Sequence, residues 1–182
     1  MEEQDERPNV FPVLLQHGVL ADSSCWICVG AENSLPFVLA KAGFDVWLSS
    51  SRGTAYSREH VHLDADKNNE FWEFTWQDMS EKDLPAFVNY VLDETKKQKL
   101  HYIGHSQGCL IAFAALSESV TLNSKFASFQ ALAPVFRLKY LLGPLKNAAK
   151  IAASIAPSSS KFGTELLGSS WLTKKIARKI QK

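Results

Sequence analysis

Short apolar runs alternate with longer segments of mixed character along the chain. Phe11-Pro-Val-Leu-Leu-Gln16 is apolar almost throughout and stops at His17-Gly18, the pattern of a buried strand. Val19 to Trp26 reads as a loop. Asn33 or Ser34 is placed to cap a helix that takes Pro36 in its first turn, runs through Leu39 and ends at Gly43. Phe44 to Leu48 is a second strand, closed by the turn-forming Ser49-Ser-Ser-Arg-Gly53, and Thr54 to Glu70 is polar and reads as loop. Leu84, Phe87, Val88, Val91 and Leu92 recur at i, i+3, i+4, i+7 and i+8, one face of a helix, with Pro85 in its first turn or marking a kink. Leu100 to Ile103 is a third strand, followed by a sharp turn and a helix to about Ser117; Phe129 to Ala133 is a fourth. This alternation predicts an α/β fold with a mostly parallel sheet. After Arg137 the pattern changes. Leu138 to Ala156 and Glu165 to Ile180 read as helices, apolar on one face and lysine-rich on the other, and no internal repeat is present.

Composition adds a boundary. The chain has 182 residues, 46% hydrophobic and 21% charged, which suits one globular domain rather than a disordered chain. Its net charge of +1 argues against nucleic acid as a general partner, yet it hides a split. Residues 1–136 hold 10 Lys+Arg and 18 Asp+Glu; residues 137–182 hold 10 Lys+Arg and only Glu165. A unit of 1–136 followed by a basic segment 137–182 is therefore expected. That segment has three open roles: a lipid-surface contact, a lid over a pocket, or ordinary surface helices. Three cysteines, an odd number, make no complete disulfide framework. The acidic start MEEQDERPNVF has no apolar core of a secretory signal, and no apolar run reaches membrane-spanning length.

The candidate chemistry centres on Gly104-His105-Ser106-Gln107-Gly108. A G-x-S-x-G between a strand and a helix is the pattern of a strained turn that exposes a serine hydroxyl, with Gly104 and Gly108 as its small residues. Ser106 is the candidate nucleophile. His17-Gly18-Val19-Leu20 follows the first strand, where the N–H of Val19 and that of Gln107 can converge on a developing oxyanion; the competing reading is a simple tight turn. Cys25-Trp-Ile-Cys28 sits in a loop and is read as two cysteines flanking a packed tryptophan rather than as a redox motif. His60-Val-His62-Leu-Asp64 has metal-ligand residue types but too few further ligands downstream, so it is read as a solvated loop; no metal is expected. A serine needs a base, and the order in such hydrolases is Ser, then Asp or Glu, then His. No histidine and no aspartate follow Ser106, only Glu118 and Glu165; His17, His60, His62, His101 and His105 all precede it. His105, adjacent at a sharp turn, points away from Ser106.

These residues together resemble the acid lipase family of α/β-hydrolases, which includes gastric and lysosomal acid lipases. The similar stretches are LLQHGVLADSSCW (14–26), FDVWLSSSRGTAYSREH (44–60), EFWEFTWQDMSEKDLPAFVNYVL (70–92), LHYIGHSQG (100–108) and FQALAPV (129–135), with FGTELLGSSWLTKKIARKI (162–180) similar to the start of the family's cap. The resemblance implies a partial α/β-hydrolase fold, with a core over 1–136 and the beginning of a helical cap over 137–182. It implies Ser106 as nucleophile, Val19 and Gln107 as oxyanion donors, a structural role for His17, and no cofactor. The implied substrates are acylglycerols or sterol esters, and the implied setting is secreted or lysosomal. The chain departs from the family in reading SSSRGT where members read closer to GNSRGN. It also lacks the signal peptide and first strands, and it stops within the cap. The family's triad Asp and His lie further on, so the chain alone is expected to be inactive, with open sheet edges. The alternative is a catalytically dead fragment that binds lipid or a partner through its basic cap helices.

Overall fold

Val13–Gln16 forms β1, and all four of its residues are buried. A strand covered on both faces has no polar side to present, so it reads as an unbroken apolar run. β1 lies between Val46–Ser49 (β2) and Leu100–His105 (β3), and β3 pairs in turn with Phe126–Leu132 (β4). All of these pairings are parallel, in the order β2-β1-β3-β4. The computed structural model describes residues 11–136. The helices expected over 138–156 and 165–180, and the cap segment 137–182 that contains them, lie outside the described residues.

The chain winds outward from β1 to β2, then crosses back over β1 to add β3 and β4. That reversal falls between β1 and β3, and open α/β sheets bind ligands at the carboxyl ends of the strands flanking such a switch point. Leu35–Lys41 (α1) follows β1, with Pro36 at its start. Its Leu35 and Leu39 pack on the face formed by Val13, Leu15 and Ile103. Trp76–Asp78 (α2), a π-helical turn over Met79–Asp83, and Leu84–Thr95 (α3) form one continuous helical segment. Gln107–Glu118 (α4) and Val120–Ser124 (α5) follow β3. Residues of α3, α4 and α5 cover the opposite face, around Leu14, Leu100 and Tyr102.

Several elements differ from those the sequence predicts, each for a physical reason. The helix expected from Leu84 begins eight residues earlier, at Trp76. Thr75 and Asp78 form a capping box that starts it, Thr75 accepting from the Gln77 N–H and Asp78 from the Thr75 N–H. Pro85 has no N–H to donate, and the chain widens just before it: the Leu84 N–H reaches Met79 O in a π-type bond. The apolar period is therefore broken at that turn, which is why it locates only the second half of the helix. β4 starts at Phe126 rather than Phe129, because the ladder shifts register between Leu100 and His101. Phe126 pairs with Leu100 and Phe129 with Tyr102, so the bulge puts two aromatics of odd spacing on one face. Within the loop expected over 19–26, Ser23–Trp26 makes a 3-10 turn capped by Asp22. β2 begins at Val46 instead of Phe44, and α5, capped by Ser119, is an additional element.

Candidate active site

Ser106 ends β3 and begins α4, with φ 53° and ψ −109°. A non-glycine residue at positive φ is strained, by roughly 1–3 kcal/mol, and persists only where its surroundings hold it. Here the Ser106 N–H donates to Leu132 O at 2.9 Å, tying the turn to the end of β4. Its carbonyl accepts from the Cys109 N–H at 3.0 Å, which starts the helix. The hydroxyl is not spent on capping α4, and the residue is half-buried.

The flanking glycines are required by contact rather than by φ. A Cβ on Gly104 would lie 2.9 Å from the backbone carbon and oxygen of Gly108. A Cβ on Gly108 would lie 2.6 Å from Gln16 O and 2.9 Å from His17 O. The first turn of α4 thus passes directly over β3 and the end of β1. Tyr102, wholly buried, donates its hydroxyl to Gly108 O at 2.8 Å and pins the same turn from below.

The loop after β1 comes against this elbow. A Cβ on Gly18 would sit 3.1 Å from Ser106 Cβ, so residue 18 abuts the candidate nucleophile and Val19 follows it, about half exposed. Leu20, at φ 65°, is a second strained residue in the same loop. Gln107 is the first residue of α4, and its N–H is among those with no partner inside the helix.

Hydrogen bonds fix that loop from behind. His17 is buried; its Nε2 accepts the Ser51 N–H at 3.0 Å, so Nδ1 carries the proton and donates to Gly18 O at 2.8 Å. Burial is the main reason its basicity is lowered, and the neutral ring is the one the bonding needs. Gln16 donates to Ser51 Oγ at 3.0 Å and accepts from Ser49 Oγ at 2.7 Å. Arg52 then reaches Asp83 on the π-helical turn, with Nε at 2.7 Å from Oδ1 and its backbone N–H at 3.1 Å from Oδ2. The sequence predicts only a turn over Ser49–Gly53. The signals for the pair are Arg52 inside that turn and Asp83 at the end of the polar run Ser80–Asp83, where the apolar face of α3 begins.

The other candidates lie elsewhere or are otherwise engaged. His105 is exposed and its ring meets Trp26 edge-on, with centroids 6.4 Å apart. His101 Nδ1 is 2.7 Å from Ser128 Oγ, near the opposite end of β3. His60 Nδ1 accepts from the N–H groups of His62 and Leu63, while Asp64 pairs with Lys67 at 2.8 Å. These three residues serve their own loop, and among the described residues no group of three or more His, Cys, Asp or Glu is placed to hold a metal ion. Cys25 and Cys28 are free, and burial first, then Cys28 and Asp22, pushes the Cys25 thiol up to about 11, the reverse of a reactive redox thiol. No helix among the described residues is long and apolar enough to cross a membrane.

A family model described as alpha/beta hydrolase fold matches residues 12–160. Gastric triacylglycerol lipase of Rattus norvegicus is 46% identical over 142 residues, 78% of this chain and 35% of that protein. Lipase member K of Mus musculus is 41% identical over 169 residues, covering 92% of this chain and 42% of its own. Lysosomal acid lipase/cholesteryl ester hydrolase of Homo sapiens is 42% identical over 145 residues, covering 80% of this chain and 35% of its own. The chain thus spans well under half the length of these curated relatives. An extracellular alpha/beta-hydrolase from a Paenibacillus species superposes with a TM-score of 0.53 at 16% identity, over 80% of this chain and 52% of that one, a likeness of fold.

Proposed function

The chain belongs to the alpha/beta hydrolase fold family, and from that premise we propose that it is the nucleophile-bearing part of a serine-dependent lipase acting on acylglycerol or sterol esters. The observation that carries this reading is Ser106, held at positive φ between β3 and α4, against the loop that follows β1. Its hydroxyl attacks the ester carbonyl. The N–H groups of Val19 and Gln107 receive the oxyanion, the latter aided by the positive end of α4. The gastric triacylglycerol lipase and the lysosomal cholesteryl ester hydrolase among the relatives support that substrate class and a secreted or lysosomal setting. Residues 1–136 are the core, and 137–182 begin a cap over the acyl chain. No cofactor enters this chemistry.

The reaction also needs a base and an acid that orients it. His17 has both ring nitrogens engaged, and no histidine follows Ser106 in the sequence. In this reading both groups are supplied from outside the described residues. The test is to express everything the native transcript encodes in this frame and assay hydrolysis of triacylglycerol and cholesteryl ester. Replacing Ser106 by Ala is expected to lower kcat/KM by about 10³-fold or more; a variant that keeps full activity overturns the assignment. The excess of basic residues after Phe136 favours a second reading, in which that segment binds an anionic lipid surface. Vesicle binding that is insensitive to salt counts against it.

A further inference from the structure

Cys25-Trp-Ile-Cys28 takes no part in the proposed chemistry, yet the fold places its two thiols on adjacent turns. Cys25 belongs to the 3-10 turn Ser23–Trp26 and is half-buried; Cys28 lies just beyond it and is exposed. Cys28 Sγ is 3.2 Å from Cys25 O, so its side chain folds back toward Cys25. The 3-10 turn ends at Trp26, and the chain goes on turning through 27–29; a turn keeps α-carbons three residues apart within ~7 Å. Disulfides span ~4.4–6.8 Å between α-carbons. The turn is also held in place: Asp22 Oδ1 accepts from the Ser24 N–H at 2.8 Å, the Ile27 N–H donates to Ser24 O at 3.1 Å, and the Ser23 N–H donates to Ser50 Oγ at 3.2 Å. Cys109, beneath the elbow with its thiol on Gly104 O, is fully buried and does not compete.

We propose that Cys25 and Cys28 close an intramolecular disulfide that fixes this turn beside the elbow, with a small-molecule disulfide such as glutathione disulfide as the oxidant. The exposed Cys28 thiolate attacks one glutathione sulfur, breaking the glutathione S–S bond and releasing one glutathione thiolate, which is protonated. Cys25 sulfur then attacks Cys28 Sγ and expels the second glutathione, its own proton passing to solvent and on to the leaving thiolate. The two protein thiols lose two electrons and two protons, and one glutathione disulfide becomes two glutathione thiols. Once formed, the bond resists reduction, because strongly oxidising dithiols are those whose thiolate is stabilised, and the partly buried Cys25 is disfavoured as a thiolate. Trp26 lies between the two sulfurs in sequence. Its ring meets His105, the residue before Ser106, and packs against the cluster of Val13, Leu15 and Ile103. So short a loop restricts the unfolded chain little, and the bond acts by ordering this turn rather than by raising global stability.

The test equilibrates the purified chain in a glutathione redox buffer, alkylates the remaining thiols and maps them by peptide mass. The expected result is a peptide joining Cys25 and Cys28 that has lost two hydrogens and takes no alkyl group. Cys25→Ser instead traps a glutathione adduct on Cys28. Closure is expected to be at least about tenfold more favourable than in the same buffer with urea, and amide exchange over residues 22–30 to slow on oxidation. The proposal is overturned if wild-type protein stops at the Cys28 adduct, if both thiols stay alkylable, or if closure is equal with and without urea.

Discussion

Replacing Gly108 by Ala sets two known effects against each other inside the elbow. Gly108 is helical and has no positive φ, so backbone propensity alone favours alanine by about 1 kcal/mol. Sterics oppose it. The new Cβ would lie 2.6 Å from Gln16 O, 2.9 Å from His17 O and 3.0 Å from Gln16 Cγ. The two closest atoms are backbone oxygens at the end of β1, which cannot rotate aside as the tip of a side chain can. Overpacking of this kind costs about 1–3 kcal/mol, and a shift of α4 would also stretch the 2.8 Å bond from Tyr102 to Gly108 O. The steric cost and the stretched bond together outweigh propensity, and a net loss of up to about 2 kcal/mol follows. Urea unfolding followed by tryptophan fluorescence reads it as a lower midpoint at unchanged slope. Gly43→Ala is the contrast: nothing lies within 4 Å of its Cβ position, and its cost comes from φ +90° alone. A Gly108→Ala midpoint at or above wild type would refute the contact argument, since propensity would then have prevailed.

Other outcomes follow from the same network. Tyr102→Phe leaves Gly108 O without its side-chain donor in a buried site and is expected to lower stability by about 1–2 kcal/mol, with little change in overall secondary structure by circular dichroism. Arg52→Ala strands the buried Asp83 carboxylate and should cost about 3 kcal/mol, whereas adding Asp83→Ala to it should recover part of that loss; a double-mutant cycle with no coupling would show that the pair is idle. His17 is held below its ordinary value of 6.5, so the unfolded chain binds more protons as the pH drops. Its contribution is complete above pH 6.5 and is lost on acidification toward the folded value. The urea midpoint is therefore expected to fall between pH 7.5 and 5.5, and His17→Gln to flatten that slope; equal slopes in the two proteins would reject the assignment.

The sheet was legible because β1 and β3 are buried on both faces and announce themselves as apolar runs, and because helix-period segments separate them. The elbow was legible because its two glycines answer steric demands that no other residue meets. Less visible were elements whose causes lie outside their own segment. Phe126 joins β4 only through a register shift against Leu100, and nothing in its local spacing records its partner strand. The first half of the helix over 76–95 is hidden because the π-helical turn before Pro85 breaks the period, although the capping pair Thr75 and Asp78 marks its start. The Arg52–Asp83 pair joins residues 31 apart, a separation at which sequence gives residue types but not contacts.

His17 shows how the site divides its labour. With Nε2 accepting from Ser51 and Nδ1 donating to Gly18, its ring has no lone pair left for a serine proton. Protonating it would break the Ser51 bond, the link that holds the loop after β1 to the loop after β2. The ring therefore belongs to the scaffold of residues 17–20. Gln16, Ser49, Ser51 and the Arg52–Asp83 pair brace that scaffold without touching Ser106. In the proposed reaction oxyanion stabilisation depends on donors fixed before the charge develops, and this bracing holds the loop that carries Val19. Activation of the serine is a separate requirement, which the proposed function assigns to a base and an acid outside the described residues. The two contributions are unequal: donors and binding alone sustain roughly 10³–10⁴ over water in serine hydrolases, and the remainder belongs to the nucleophile and its base acting as a unit. In the proposed lipase, the described residues hold the part that is set by folding, and the part that titrates must be added to it.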